Sequence, residues 1–271
     1  MSRLFTADRP GPVTLDLDVS LGEVHVLTEN REHAELNLEP SNPDDASARD
    51  LIDRATLTTD AGTFGLVVPR PAGRTSTSSV VQAGHISGVV ISSADGIVVN
   101  GQPVDTAASA GAVTVTARLP HCSSMSMRTS SAELLTTGPL TRVAYRSESG
   151  SLVTDLAGTV ESQTISGGIS VADAGTVRAG TTSGSVLIGQ ADEITARTVS
   201  GTVDIAGLRG TGRAKSVSGS IRAHAITNAG LTASTVSGPI HLTAADGVAF
   251  HTQPSTVSGR IHQPHTQRWS A

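Results

Sequence analysis

A chain of 271 residues with a net charge of −5, a pI near 6.0 and 2% aromatic residues has room for one elongated repeat domain or two compact units. Its acidity, and the scatter of its 19 basic residues along the chain, argue against a nucleic-acid surface, which would show a clustered basic patch. So few large side chains cannot fill a conventional sandwich or barrel core, whereas Val, Ile, Ala, Thr and Gly suit the narrow core of a β-solenoid.

Residues 13–19 alternate apolar and polar side chains as a half-buried strand does. Leu21-Gly22 signals a turn. Val24-His25-Val26-Leu27 and Ala34-Glu35-Leu36-Asn37-Leu38 read as two further strands. Asn42-Pro43-Asp44-Asp45 then opens a short helix with Ala48, Leu51, Ile52 and Ala55 at helical spacing and its acids at the dipole-favoured end. A turn at 60–62 leads to a strand over 63–69. Residues 1–70 are thus predicted to form an N-terminal β region with one helix.

Residues 71–112 change character. A Gly/Ser/Thr-rich stretch is followed by short aliphatic runs, with Asn100-Gly101 as a type I′ hairpin signal between Ile97-Val98-Val99 and Val104. A flexible linker with an inserted hairpin is expected. A clean alternation resumes at 113–119 and ends at Pro120.

From there to residue 263 one step recurs. Ser149-Gly150, Ser166-Gly167, Ser183-Gly184, Ser200-Gly201, Ser218-Gly219, Ser237-Gly238 and Ser258-Gly259 return at intervals of 17, 17, 17, 18, 19 and 21 residues. Ser131-Ala132 keeps the register upstream. Three positions after each Ser stands Leu134, Leu152, Ile169, Val186, Val203, Ile221, Ile240 or Ile261. A fixed period of this kind signals a repeat architecture. Two strands per coil and coils stacked about 4.8 Å apart give a rod of roughly 35–40 Å. Gly after Ser suits a corner with positive φ, and the Ser hydroxyl suits capping of the bend.

Thr and Val before Ser-Gly lie on opposite faces of a strand. With Val inside, Thr forms an exposed ladder. With Thr inside, Ile165, Val199, Val217, Val236 and Val257 form an exposed aliphatic stripe. The longer late coils predict bulges at 228–230 and 244–247. Phe250 in the last full coil and Trp269 in the polar tail at 264–271 are expected to cap the end.

The pattern resembles a bacterial family of putative adhesins of the DUF4097 type, also called β-strand repeat or toastrack-like proteins. The matching residues are 13–19 with Leu21-Gly22 and Val24-His25-Val26, then 115–120, then the Thr-Val-Ser-Gly-x-Ile ladder. The resemblance implies a right-handed parallel β-helix-like stack, no agreed enzymatic activity, and in some relatives a membrane attachment or a neighbouring membrane-stress sensor.

Candidate chemistry is thin. A catalytic Ser needs a His base oriented by a carboxylate, and no nucleophile elbow is present, so seven equivalent Ser-Gly steps read as structural corners. His241, His251, His262 and His265 gather near the C-terminus without the cysteine pairs or helical spacing of a zinc site. Asp155, Asp173, Asp192, Asp204 and Asp246 fall near turns, where β-helix polysaccharide enzymes place carboxylates, but without the aromatics that line such grooves. No catalytic, cofactor-binding or metal residue is assigned. The single Cys122 permits no internal disulfide. The N-terminus lacks the apolar core of a signal peptide and no stretch approaches a membrane span, so a cytoplasmic location is expected.

The expected protein is therefore all-β, a parallel β-solenoid of about 17–18 residues per coil after an N-terminal β region. Its expected role is a non-enzymatic scaffold presenting a protein-binding face, with no nucleic acid and no cofactor. The alternatives are an adhesin or envelope-stress component, a self-assembling filament or homo-oligomer joined through solenoid ends or the 71–112 arm, and a carbohydrate-active β-helix enzyme.

Overall fold

The computed structural model describes residues 2–60, 62–70 and 111–263, with the backbone of 89–90, 97–99 and 102–104. The N-terminal segment contains β1 (Arg3–Thr6), β2 (Thr14–Asp18), β3 (Gly22–Glu29) and β4 (Glu35–Pro40), then α1 (Ala46–Asp53), β5 (Thr56–Asp60) and β6 (Thr63–Val67). The helix starts where its cap is. Asp45 accepts the amides of Ser47 and Ala48 at 2.8 and 3.2 Å, satisfying donors that the first turn leaves free. It also accepts the Gly111 amide at 2.6 Å. These backbone bonds, that from Gly111 foremost, hold its carboxyl below the usual range. Ala48, Leu51, Ile52 and Ala55 are buried, as their spacing predicts.

β7 (Val89–Val90), β8 (Ile97–Val99) and β9 (Gln102–Val104) form a separate antiparallel sheet with Ile97 opposite Val104 and Val99 opposite Gln102. The expected hairpin strands are paired. The Asn100-Gly101 turn, the linker at 71–88 and the tail from 264 lie outside the described residues.

The remainder is the stack. β10 (Val113–Pro120) and β11 (Ser124–Thr129) lead to five long strands, β12 (Glu133–Ser147), β13 (Leu152–Thr164), β14 (Ile169–Gly180), β15 (Val186–Arg197) and β16 (Val203–Lys215). Each of these runs along one face, bends, and returns along the other. In later coils the two faces are separate strands: β17 (Ile221–Ala225), β18 (Ala229–Thr235), β19 (Ile240–Ala244), β20 (Phe250–Thr256) and β21 (Ile261–His262). The break before β18 falls at 226–228, slightly earlier than expected, since Ala229 and Gly230 already pair with Phe250 and His251. Coil-to-coil pairing is parallel and in register, Leu152 to Ile169 to Val186 to Val203. The N-terminal strands belong to the same 18-stranded sheet: β3 pairs in parallel with both β10 and β12, and β2 with β11.

The core is a set of columns rather than a ball, as a quasi-one-dimensional fold requires. On the first face Leu134, Leu152, Ile169, Val186, Val203, Ile221 and Ile240 are all buried, and only the terminal Ile261 is exposed, at 43%. A second column narrows along the stack: Met127, Tyr145, Ser162, Ala179, Ala196, Ala214, Ala233. Phe250 is buried near the C-terminal end; Trp269 lies outside the described residues.

Candidate functional site

At each Ser-Gly corner a hydroxyl two residues before the Ser accepts the backbone amide of the Gly. Thr164 to Gly167, Thr181 to Gly184 and Thr198 to Gly201 each span 3.0 Å. Ser147, Ser216, Thr235 and Thr256 do the same for Gly150, Gly219, Gly238 and Gly259. Thr129 serves Ala132 at 2.8 Å. The Thr hydroxyls also donate down the stack, Thr181 to the Gly167 carbonyl at 3.4 Å. Buried backbone donors need such partners, so the Thr column faces inwards.

The ladder glycines are required for a reason other than the expected positive φ, which none of them adopts. A Cβ on Gly167, Gly184, Gly201 or Gly219 would lie 1.7–1.9 Å from the carbonyl oxygen of the ladder glycine one coil earlier. Glycine is there because two backbones meet. The ladder serines are all exposed. Their hydroxyls are not the regular cap: Ser200, Ser218 and Ser258 donate to carbonyls of the preceding coil at 3.3–3.5 Å. Among the described residues no ladder Ser is hydrogen-bonded to a His, so no nucleophile is assembled.

With Thr inside, its neighbour must point out. Ile165, Val199, Val217, Val236 and Val257 are 45–83% exposed. Hydrogen bonds connect them coil by coil: the amide of Val217 to the carbonyl of Val199, Val236 to Val217, Val257 to Val236. Thr182 holds the same position between Ile165 and Val199. The result is an exposed aliphatic stripe along one corner, the second of the two arrangements open from sequence.

At the opposite corner the carboxylates are spoken for. Arg209 reaches back across two coils to Asp173 at 2.6 Å and Asp192 at 2.7 Å, and also bonds Gln190 and the Ala174 carbonyl. Its hydrogen bond to Asp173, then that to Asp192, raises its pKa further. Asp155 accepts the Gly138 amide at 3.3 Å, and Asp204 lies 4.0 Å from Arg222. Among the described residues Asp173, Asp192 and Asp204 are thus each within ion-pair distance of an arginine. His241 and His262 stack with ring centroids 4.7 Å apart, and His224 bonds Thr243 at 2.8 Å. Among the described residues no cluster of His, Cys, Asp or Glu is arranged to hold a metal, and no helix is long and apolar enough to cross a membrane.

Stacked parallel coils, inward Thr caps and close-packed Gly corners define a β-solenoid repeat protein. The chain belongs to the Toastrack DUF4097 family, whose model matches residues 93–270. In structure it is similar to a putative adhesin of Parabacteroides merdae, with 12% identity, 97% of this chain and 95% of that one covered, and a TM-score of 0.54. It is also similar to a putative adhesin of Parabacteroides distasonis, with 11% identity, 97% of each chain covered, and a TM-score of 0.52. At such identity the likeness is one of fold. No curated protein matches the chain.

Proposed function

We propose that this protein is a non-enzymatic interaction scaffold that docks a protein partner along the stripe of Ile165, Val199, Val217, Val236 and Val257. The stripe carries the proposal. Thr182 occupies the same column without changing the corner, so the cap leaves the residue type free and solvent would favour a polar one. Val199, Val217, Val236 and Val257 keep apolar surface exposed on four successive coils, with Ile165 beyond Thr182, and such surfaces mark interaction sites. Membership of the Toastrack family and the neutralised carboxylates at the opposite corner support a binding role over catalysis.

The test compares wild type with the triple variant Val199→Thr, Val217→Thr, Val236→Thr. A partner is captured from the native cell, identified by mass spectrometry, purified and titrated by calorimetry. Binding to wild type and loss by roughly tenfold or more in the variant is the expected result. Equal binding by both would overturn the reading, as would turnover of a polysaccharide or ester that Asp or His substitutions abolish. Cell fractionation is expected to place the chain in the cytoplasm; recovery from the cell surface would favour an adhesin.

A further inference from the structure

The basic residues that are scattered along the chain are gathered by the coil. On the second face, the alternation that buries Val143, Val177 and Ala196 turns their neighbours outwards. On β12 to β16 Arg142, Arg146, Arg178, Arg197, Arg213 and Lys215 are all exposed there, against two acidic side chains, Glu161 and Glu193. Register sets Arg197 beside Lys215 and Thr195 beside both Arg178 and Arg213. A protein of net charge −5 thus carries one face of opposite sign. Glu161 is shared by Arg142 at 2.7 Å and Arg178 at 3.7 Å. Among the described residues no carboxylate stands within ion-pair distance of Arg146, Arg197, Arg213 or Lys215, and these side chains have no hydrogen-bond partner.

The face is a trough. Depressions of about 620 and about 750 Å³ meet at Thr195 and Arg197 and extend from Ser126 on β11 to Gln253 on β20. Hydroxyls of Thr195, Thr211 and Thr232 stand between the basic groups, and among the described residues no exposed Phe, Tyr or Trp lines it.

We propose that this trough binds a linear acidic polysaccharide along the solenoid axis. Guanidinium forks match carboxylate and sulfate groups in a way a point charge does not. The Thr hydroxyls match ring hydroxyls of the same polymer. Coils spaced about 4.8 Å apart offer these donors at regular intervals, as a polymer of repeating acid groups needs. Single-stranded nucleic acid gains affinity from stacking on aromatics, which the trough lacks. Extended acidic peptides pair with sheet edges, whereas this is a sheet face.

The experiment titrates the full chain with polygalacturonate and with dextran sulfate, using neutral dextran, polyglutamate and duplex DNA as comparisons. Expected is saturable binding to one or both acidic polysaccharides that weakens as salt rises, and none to neutral dextran. Arg178→Gln with Arg197→Gln and Arg213→Gln is expected to weaken binding about tenfold or more and flatten its salt dependence. The pair Arg146→Gln with Lys215→Gln should act in the same direction, while the stripe variant binds as wild type; circular dichroism confirms the fold of each. The proposal is overturned if neither acidic polysaccharide binds saturably, if both basic-face variants bind as wild type, or if polyglutamate or DNA binds as tightly.

Discussion

The hydroxyl oxygen of Thr198 lies 3.0 Å from the amide nitrogen of Gly201, and both residues are buried. The serine between them, Ser200, is exposed and bonds only a carbonyl at the surface. The most conspicuous residue of the repeat is therefore not the one that holds the corner. Thr198→Val keeps the shape and leaves the Gly201 amide without a partner, which costs about 1–3 kcal/mol. Thr198→Ser retains an acceptor and is expected to cost less than about 1 kcal/mol. Ser200→Ala is expected to stay within about 0.5 kcal/mol of wild type. Urea unfolding ranks the three, and a larger loss for Ser200→Ala than for Thr198→Val would refute the capping role.

Gly201 and Gly180 make the corresponding pair for backbone approach. A Cβ on Gly201 would sit 1.7 Å from the Gly184 carbonyl oxygen, whereas one on Gly180 meets nothing nearer than 4.0 Å. Neither has a positive φ, so conformational strain does not enter the comparison. Gly201→Ala must push two coils apart and is expected to cost about 3 kcal/mol. Gly180→Ala is expected to be neutral or to stabilise by up to about 1 kcal/mol through the unfolded state. Thermal unfolding of the two variants separates them in sign.

How much of this was legible in the sequence follows from the repeat itself. The period and the aliphatic residue after each Ser-Gly place Leu134 to Ile240 in one buried column, because inward positions must match from coil to coil. The choice between Thr and Val inside was not legible, since both alternate equally well. The Gly amide decides it by demanding a hydroxyl. The sequence suggests a positive-φ glycine because a corner in one coil looks like a turn, whereas the constraint comes from the coil beneath. Arg209 follows Asp192 by one coil of 17 residues, but spacing does not assign it to Asp173, which lies in register with Gln190 and, through it, Gly207. The basic face was hidden for a related reason. Arg178, Arg197 and Lys215 are separated by roughly a coil each and become neighbours only once the stack forms.

Arg209 and Asp173 supply a third prediction. The guanidinium engages two carboxylates at once and is 27% exposed. Arg209→Ala leaves Asp173 and Asp192 repelling each other across adjacent coils and is expected to cost about 1–2 kcal/mol at low salt, with the difference shrinking as salt is raised. Arg209→Lys keeps the charge but loses the fork, so it should recover less than half of the loss. Denaturant midpoints at low and high ionic strength check both statements.

Tyr145 and Ala132 link the fold to pH at the alkaline end. The phenol donates to the Ala132 carbonyl at 2.8 Å from a fully buried position. Burial pushes its pKa up from 10.0 to about 12. The unfolded chain loses this proton near pH 10 while the folded chain keeps it until about pH 12, so the unfolded state binds fewer protons in between. Stability from this group is complete below about pH 10 and falls by roughly 2–3 kcal/mol on the way to pH 12. Tyr145 is the only tyrosine of the chain, so tyrosinate absorbance reports it alone, with an expected midpoint near pH 12 in the folded protein and near 10 in urea. Tyr145→Phe leaves the Ala132 carbonyl without its donor and should cost about 1–2 kcal/mol at neutral pH. The variant should also lose the part of the alkaline decline that this phenol causes. A folded-state midpoint near pH 10, or an alkaline decline unchanged in Tyr145→Phe, would show that the buried phenol does not link the fold to pH in this range.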